Sequence, residues 1–378
     1  MNQIDTLVFP DTALQRAFGR EHCAHSSVVQ NTLDACTPDT VRHLQQANMR
    51  LYQHYGQAVA HDFSQEYLLL DLDLTGLLAG PQSEGSTKGY FANHRGASGR
   101  QLCRVTATAF DEILCQRLLS GATLSQTTLK PAIQQAAAIL QLSPAQRQDT
   151  LLRWDAGFGT DHNINWMLSQ GYQIIGKMYA HKRVRKLART VTAWHPTPSS
   201  PGREMGIPPL PHRYARKTSQ LVVRTPKKHP PNTWAYGVLV TTLHHLTPEA
   251  LVDLYDDRGG GIETEFRADR QGLGLAKRRK RRMVAQQMLV HLAERAHNVL
   301  VWTTHQLDPP LNHYGLLRLV RDAFQITGYV LIREHTLTEI GLNQRHPLVY
   351  AVRDGFNRLL TSPVQLTLCD PVEHIKER

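Results

Sequence analysis

Cysteine is scarce. The chain has five in 378 residues (Cys23, Cys36, Cys103, Cys115 and Cys369), scattered and odd in number, with no CxxC pair. That argues against a disulfide scaffold or a zinc finger and fits a reducing, cytoplasmic setting. Long apolar runs are also missing, and none approaches the roughly 20 residues that span a bilayer. The N-terminus, MNQIDTLVFPDTAL, has no basic stretch followed by an apolar core, so no secretion signal is expected. No internal repeat is found. Acidic residues are the minority charge: Asp+Glu 32 against Lys+Arg 43, a net charge of +11. A basic balance of this size, with twenty histidines besides, favours a polyanionic partner such as nucleic acid or an anionic membrane surface. The length allows a large core and roughly two domains, or one elaborated domain.

Residues 1–65 read as helical. Thr37-Pro38 is an N-cap/N1 pair, and Leu44, Ala47, Leu51 and Tyr55 follow at helical spacing. Tyr67–Gly76 reads as a strand and 79–100 as a loop or hairpin. Gln101–Phe110 reads as a second strand, with helices expected at 111–119, 127–141 and 144–148. Asp149–Ala156 and Tyr172–Tyr179 read as strands flanking a helix at Thr160–Gln170, the order of an α/β core. Residues 180–233 are basic and rich in Pro and Ser, with a β-like run at Gln220–Arg224, and read as an insertion. Trp234–Thr242 returns to a buried strand, and Thr247-Pro248 caps a helix to about Asp256. After the Arg258–Gly261 break the chain is strongly helical and carries its densest basic run, KRRKRR at Lys277–Arg282. A helix is expected near Leu311–Phe324 and a strand at Val364–Leu368. The domain expectation is therefore 1–65, 66–179, 180–233, 234–305 and 306–378.

The stretch YLLLDLDLTG at Tyr67–Gly76 organises the chain. Strand alternation puts Asp71 and Asp73 on one face and Leu68, Leu70, Leu72 and Leu74 on the other. Acids in such a strand are costly unless something cationic compensates them. Asp155 ends a later strand before Gly157-Phe158-Gly159, and Glu263 begins a helix after Gly259–Gly261. Strand ends and helix starts point side chains into clefts. Three carboxylates with oxygen-only ligation favour Mg²⁺ or Mn²⁺, and two such ions suit an in-line phosphoryl displacement.

Four local matches make the chain resemble the DDE transposases of bacterial insertion sequences, in the cut-and-paste group with a YREK-type signature. They are LDLDLT at Leu70–Thr75, KGYFANHRG at Lys88–Gly96, LLRWDAGFGTD at Leu151–Asp161, and Tyr255-x-x-Arg258 followed by Ile262-Glu263-x-x-Phe266 with Arg270 beyond. The resemblance spans about residues 25–335. It implies an α/β, RNase H-like catalytic core interrupted by a basic β-containing insertion, with a helical N-terminal segment. Asp73, Asp155 and Glu263 become the catalytic and metal-holding acids, with two Mg²⁺ or Mn²⁺ ions. The partners implied are double-stranded DNA (terminal inverted repeats and target) and a second copy of the chain on that DNA. The setting implied is the bacterial cytoplasm, at the nucleoid.

Candidate DNA contacts are Lys88, His94 and Arg95 in the loop, and Tyr255, Arg258 and Arg270 beside Glu263. Lys277, Arg278, Arg279, Lys280, Arg281 and Arg282 would track the backbone. Trp194 and Trp234 would stack on a flipped base. His162 and His181 read as ordinary histidines. Two departures stand out. Four residues, not three, separate Arg258 from Glu263, which makes Glu265 the alternative acid, and Arg270 replaces the terminal Lys. The N-terminal region is also shorter than the family usually carries, so the part that reads element ends is expected to be reduced. Two other readings compete. One is a catalytically silent, transposase-derived DNA-binding protein. The other takes DLDLT as the opening of a haloacid-dehalogenase-type phosphohydrolase, with Asp71 as nucleophile, Asp73 as general acid/base and Asp256-Asp257 as its later acidic pair.

Overall fold

A computed structural model describes residues 4–17, 19–91, 94, 96–197, 200–227, 229–230, 233–275, 280–306, 311, 314–315, 318–333, 336–359 and 365–369. Its centre is one mixed sheet. β1 (Leu68–Leu78), β2 (Thr87–Lys88), β3 (Ser98–Ala107) and β4 (Glu112–Ser120) come first, then β5 (Thr150–Trp154) and β6 (Gln173–Lys177). Antiparallel β4 and β3 lead into β1, and β1, β5 and β6 run parallel. This is an RNase H-like order, and it fits the expected α/β class.

The rest of the sheet comes from the basic region and the strand that follows it. β7 (His195–Pro196), β8 (Glu204–Gly206), β9 (Ser219–Pro226) and β10 (Trp234–Thr241) add to β6 in the order β6-β10-β9-β8-β7. The strands within 180–233 thus continue the main sheet. Three further strands, β11 (Gly328–Arg333), β12 (Thr336–Asn343) and β13 (Gln365–Cys369), form a separate small sheet.

Leucines explain the register of β1. Leu68, Leu70 and Leu72 are buried in the largest core. The helices α1 (Thr12–Ala17), α2 (Ser26–Ala35) and α3 (Pro38–Tyr55) precede the sheet. That core also takes side chains from α4 (Ser125–Ile139), α6 (Asp161–Ser169) and α7 (His181–Thr190), with the short α5 (Pro144–Gln148) leading into β5. On the opposite face lie α8 (Pro248–Asp256), α9 (Ile262–Gly272) and α10 (Met283–Gln306), packed through Leu251, Val252, Ile262, Phe266 and Val290. Helix starts are capped by hydroxyls, at Thr37 and Thr247 as predicted. The side chains of Thr37, Ser143, Thr160 and Thr247 each accept a hydrogen bond from an N–H in the first turn, each worth about 1 kcal/mol.

One element departs from expectation. Residues 111–119 were expected to be helical, and β4 occupies them instead. Glu, Leu, Gln and Arg are good helix formers, but pairing with β3 overrides propensity. Asn298 of α10 fastens the strand: its amide oxygen accepts from Ile113 N–H at 2.9 Å and its NH₂ donates to Ile113 C=O at 2.8 Å. The helix expected near Leu311–Phe324 is represented among the described residues by a π-helical turn at Leu319–Ala323.

Candidate active site

Register brings the first two acids together. Leu72 of β1 pairs with Trp154 of β5 in parallel, and one residue beyond that pair come Asp73 and Asp155. The chain then turns sharply. Gly157 N–H donates to Asp155 Oδ1 at 2.8 Å, which fixes that carboxylate. Gly159 lies so close to β6 that a Cβ there would stand 1.8 Å from the Lys177 carbonyl oxygen. Gly159→Ala is therefore expected to push the Asp155 turn off the sheet. The cost should be about 2 kcal/mol or more of stability, read as a lower urea midpoint.

Glu263 arrives from the other side. It sits in the first turn of α9, after a 3₁₀ turn at Asp257–Gly259. Gly261 allows this approach, because a Cβ there would lie 2.7 Å from Thr108 Cγ2. Arg258 joins the site together. Its Nη2 lies 2.9 Å from Asp73 Oδ1, and its Nη1 donates to Glu263 Oε1 at 3.1 Å. The additional residue before Glu263 is thus absorbed by the turn, with Arg258 and Glu263 in contact. Side-chain exposure is 5% for Arg258, 16% for Asp73 and 54% for Glu263, so Glu263 is the acid with room to move. The Glu265 side chain lies outside the described residues.

The electrostatics show a site short of positive charge. Burial raises the Asp73 carboxyl from the ordinary 3.8 to about 6, and the Asp155 and Glu263 charges push the same way. Arg258 and the Leu74 N–H, 2.8 Å from Asp73 Oδ1, oppose the rise without cancelling it. A raised carboxyl favours the folded protein fully below its unfolded value, and that advantage is lost as pH rises through the folded value. In EDTA, Asp73→Asn is expected to leave neutral-pH stability unchanged or higher, and to remove part of the stability change between pH 3.8 and about 6. The gap is worth at most about 3 kcal/mol, less for the group's partial exposure. Thermal melts across that range read it.

Asp71 has a different fate. It is fully buried and accepts from Arg153 Nε at 2.6 Å, from Arg153 Nη2 at 2.7 Å and from Thr108 Oγ1 at 2.7 Å. A carboxylate so enclosed is no nucleophile. Asp256, one half of the acidic pair in the phosphohydrolase reading, is paired with Arg203.

The other candidates fall in several places. Tyr255 is buried beside Arg258, and its hydroxyl is pushed well above its ordinary range by burial. Arg270 donates to the Gly76 carbonyl of β1, and burial lowers its pKa. Lys88 is exposed on β2 at the sheet edge. Trp194 and Trp234 are partly buried against one cation, with Arg224 Cζ 4.0 Å and 4.4 Å from their ring centres. Lys280 donates to Gln30 of α2, and Arg282 to the Asp34 carbonyl. Arg281 is exposed. Arg95, Lys277, Arg278 and Arg279 lie outside the described residues.

Lys177 was not among the candidates and stands at the site. It ends β6, with its ammonium 4.8 Å from the Tyr255 ring centre. Burial lowers its pKa, Arg203 and Arg258 push the same way, and Asp256 and Asp155 oppose them. The one charged residue closing the buried strand QIIGK was its signal in the sequence.

No three His, Cys, Asp or Glu side chains among the described residues stand close enough to hold a metal ion as they lie. Arg258 occupies the space between Asp73 and Glu263. The donors nevertheless suit a hard divalent cation: they are all oxygen, Asp73 in β1 lies beside Asp155 just past the end of neighbouring β5, and Asp73 resists ionising beside the others.

Fold and site together define an RNase H-like α/β protein with three carboxylates gathered about one arginine. The model of the family described as transposase DDE domain group 1 matches residues 1–363, and the chain belongs to that family. No curated protein matches it. Among solved structures it is similar to a piggyBac transposase, captured by cryo-electron microscopy as a synaptic complex with hairpin DNA. Identity is 12% and the TM-score 0.47, over 90% of this chain and 61% of that one.

Proposed function

We propose that the protein is a DNA transposase that cleaves and transfers strands at the ends of a bacterial insertion sequence, using Asp73, Asp155 and Glu263. The observation that carries this reading is the gathering of three acids from β1, the β5 end and α9 around Arg258, with Asp155 and Glu263 both acting on Asp73. The same three residues would hold Mg²⁺ or Mn²⁺, two ions by the carboxylate count. Bound there, divalent cations would activate a water or 3′-hydroxyl and neutralise charge at the phosphorus.

The chain's own groups have separate tasks. Asp155 is oriented by Gly157 N–H, and half-exposed Glu263, hydrogen-bonded to Arg258, has room to swing in from α9. Among the described residues the buried Arg258 Nε has no hydrogen-bond partner, and so offers a donor to a phosphate oxygen. Lys177 adds a second cation on the Asp155 side. The protein would act as a dimer on paired ends of double-stranded DNA.

The direct test uses duplexes carrying the inverted repeats that flank the gene. Wild-type protein with Mg²⁺ is expected to cut at the repeat ends and to stop in EDTA. Tight binding with no cut under any divalent ion would instead establish the silent DNA-binding protein.

A further inference from the structure

Helix α7 carries a feature that the carboxylate site does not use. Its sequence is HKRVRKLART. Val184, Leu187 and Ala188 turn inward onto the main core, followed by Val191. Lys182, Arg185, Lys186 and Arg189 are exposed. Their spacing of three, four and seven residues puts them in one stripe about 10 Å long, roughly three nucleotide steps of a DNA strand. None of these four side chains makes an ion pair or hydrogen bond among the described residues. Arg183 does: it pairs with Asp161 at 2.5 Å and so fastens the first turn of α7 to the start of α6.

The stripe begins beside the site. Tyr179 N–H donates to the Gly159 carbonyl at 2.9 Å, which ties the approach to α7 to the turn after Asp155. Lys177 and the half-exposed Tyr179 lie between the two. Within the densest basic run of the sequence, Lys280 and Arg282 are engaged with α2.

We propose that the Lys182/Arg185/Lys186/Arg189 stripe of α7 binds the phosphates of one strand of duplex DNA and leads it to the Asp73/Asp155/Glu263 site. The inference rests on the transposase reading and adds the path of its substrate. The exposed side chains of α7 are all basic, with no apolar residue to enter a lipid surface, so DNA is favoured over an anionic membrane.

The test compares wild-type protein with the K182Q/R185Q/K186Q/R189Q variant, binding a short fluorescent duplex by anisotropy across a salt series. Each lost phosphate contact should reduce the slope of log K against log salt by about 0.9, so a fall of about 3 to 4 is expected, with at least about tenfold weaker binding at physiological salt. The R185K/R189K variant should keep the wild-type slope. Far-UV circular dichroism should match for all three proteins. An unchanged slope and affinity in the quadruple variant would overturn the proposal and leave the transposase reading standing. Failure of the wild type to bind duplex at low salt would instead remove that reading itself. Loss of binding to phosphatidylglycerol vesicles with duplex binding intact would assign the stripe to a membrane and overturn the proposal.

Discussion

Asp73→Asn, Asp155→Asn and Glu263→Gln should each reduce divalent-ion-dependent strand cleavage on the order of a thousandfold or more, while leaving duplex affinity within about twofold. Each change removes one negative oxygen donor and keeps nearly the same shape. The three effects should not add, because the carboxylates act as one unit. Glu265→Gln should leave cleavage near wild type. The reason is positional: Glu263 contacts the arginine that also contacts Asp73. Cleavage assays on flanking-repeat duplexes, with anisotropy for binding, check both halves. Retained cleavage in Glu263→Gln and loss in Glu265→Gln would move the third acid by two residues.

Asp71→Asn should act on stability. Arg153 is buried at 1% exposure and held by Asp71 through two nitrogens. Among the described residues its other hydrogen-bond partner is the Leu254 carbonyl. Removing the carboxylate leaves a buried guanidinium without its counter-charge, at a cost of about 3–5 kcal/mol. The double variant Asp71→Leu with Arg153→Met should lose less than Asp71→Asn alone, since neither buried charge then remains. Urea unfolding of the three proteins reads the difference. A stable Asp71→Asn protein that lost only catalysis would return Asp71 to the chemistry, as the phosphohydrolase reading requires.

These two aspartates show how far the sequence was legible. Alternation in YLLLDLDLTG placed both on one face, and the structure agrees: the leucines fill the main core and the acids turn away. Pattern alone did not separate their roles, because burial depends on partners distant in sequence. Arg153 and Thr108 enclose Asp71, while Arg258 reaches Asp73. The Asp155 turn and the Thr37 and Thr247 caps were readable because their chemistry is local. β4 was not, since its helix-forming residues become strand only by pairing with β3. The basic residues were hard to rank for a related reason. A run of cations says nothing about which of them the fold consumes: among the described residues, Lys280 and Arg282 are taken up by α2, while four cations of α7 make no ion pair or hydrogen bond. Lys177 was missed because a single lysine has no spacing to read.

The central claim is that Asp73, Asp155 and Glu263 together hold a divalent cation. Titrating Mn²⁺ into the 378-residue chain and following free Mn²⁺ by electron paramagnetic resonance tests this without knowledge of the DNA ends. Wild-type and Glu265→Gln proteins are expected to bind Mn²⁺, and Asp73→Asn and Asp155→Asn to lose that binding. Equal Mn²⁺ uptake by wild-type, Asp73→Asn and Asp155→Asn proteins would contradict it.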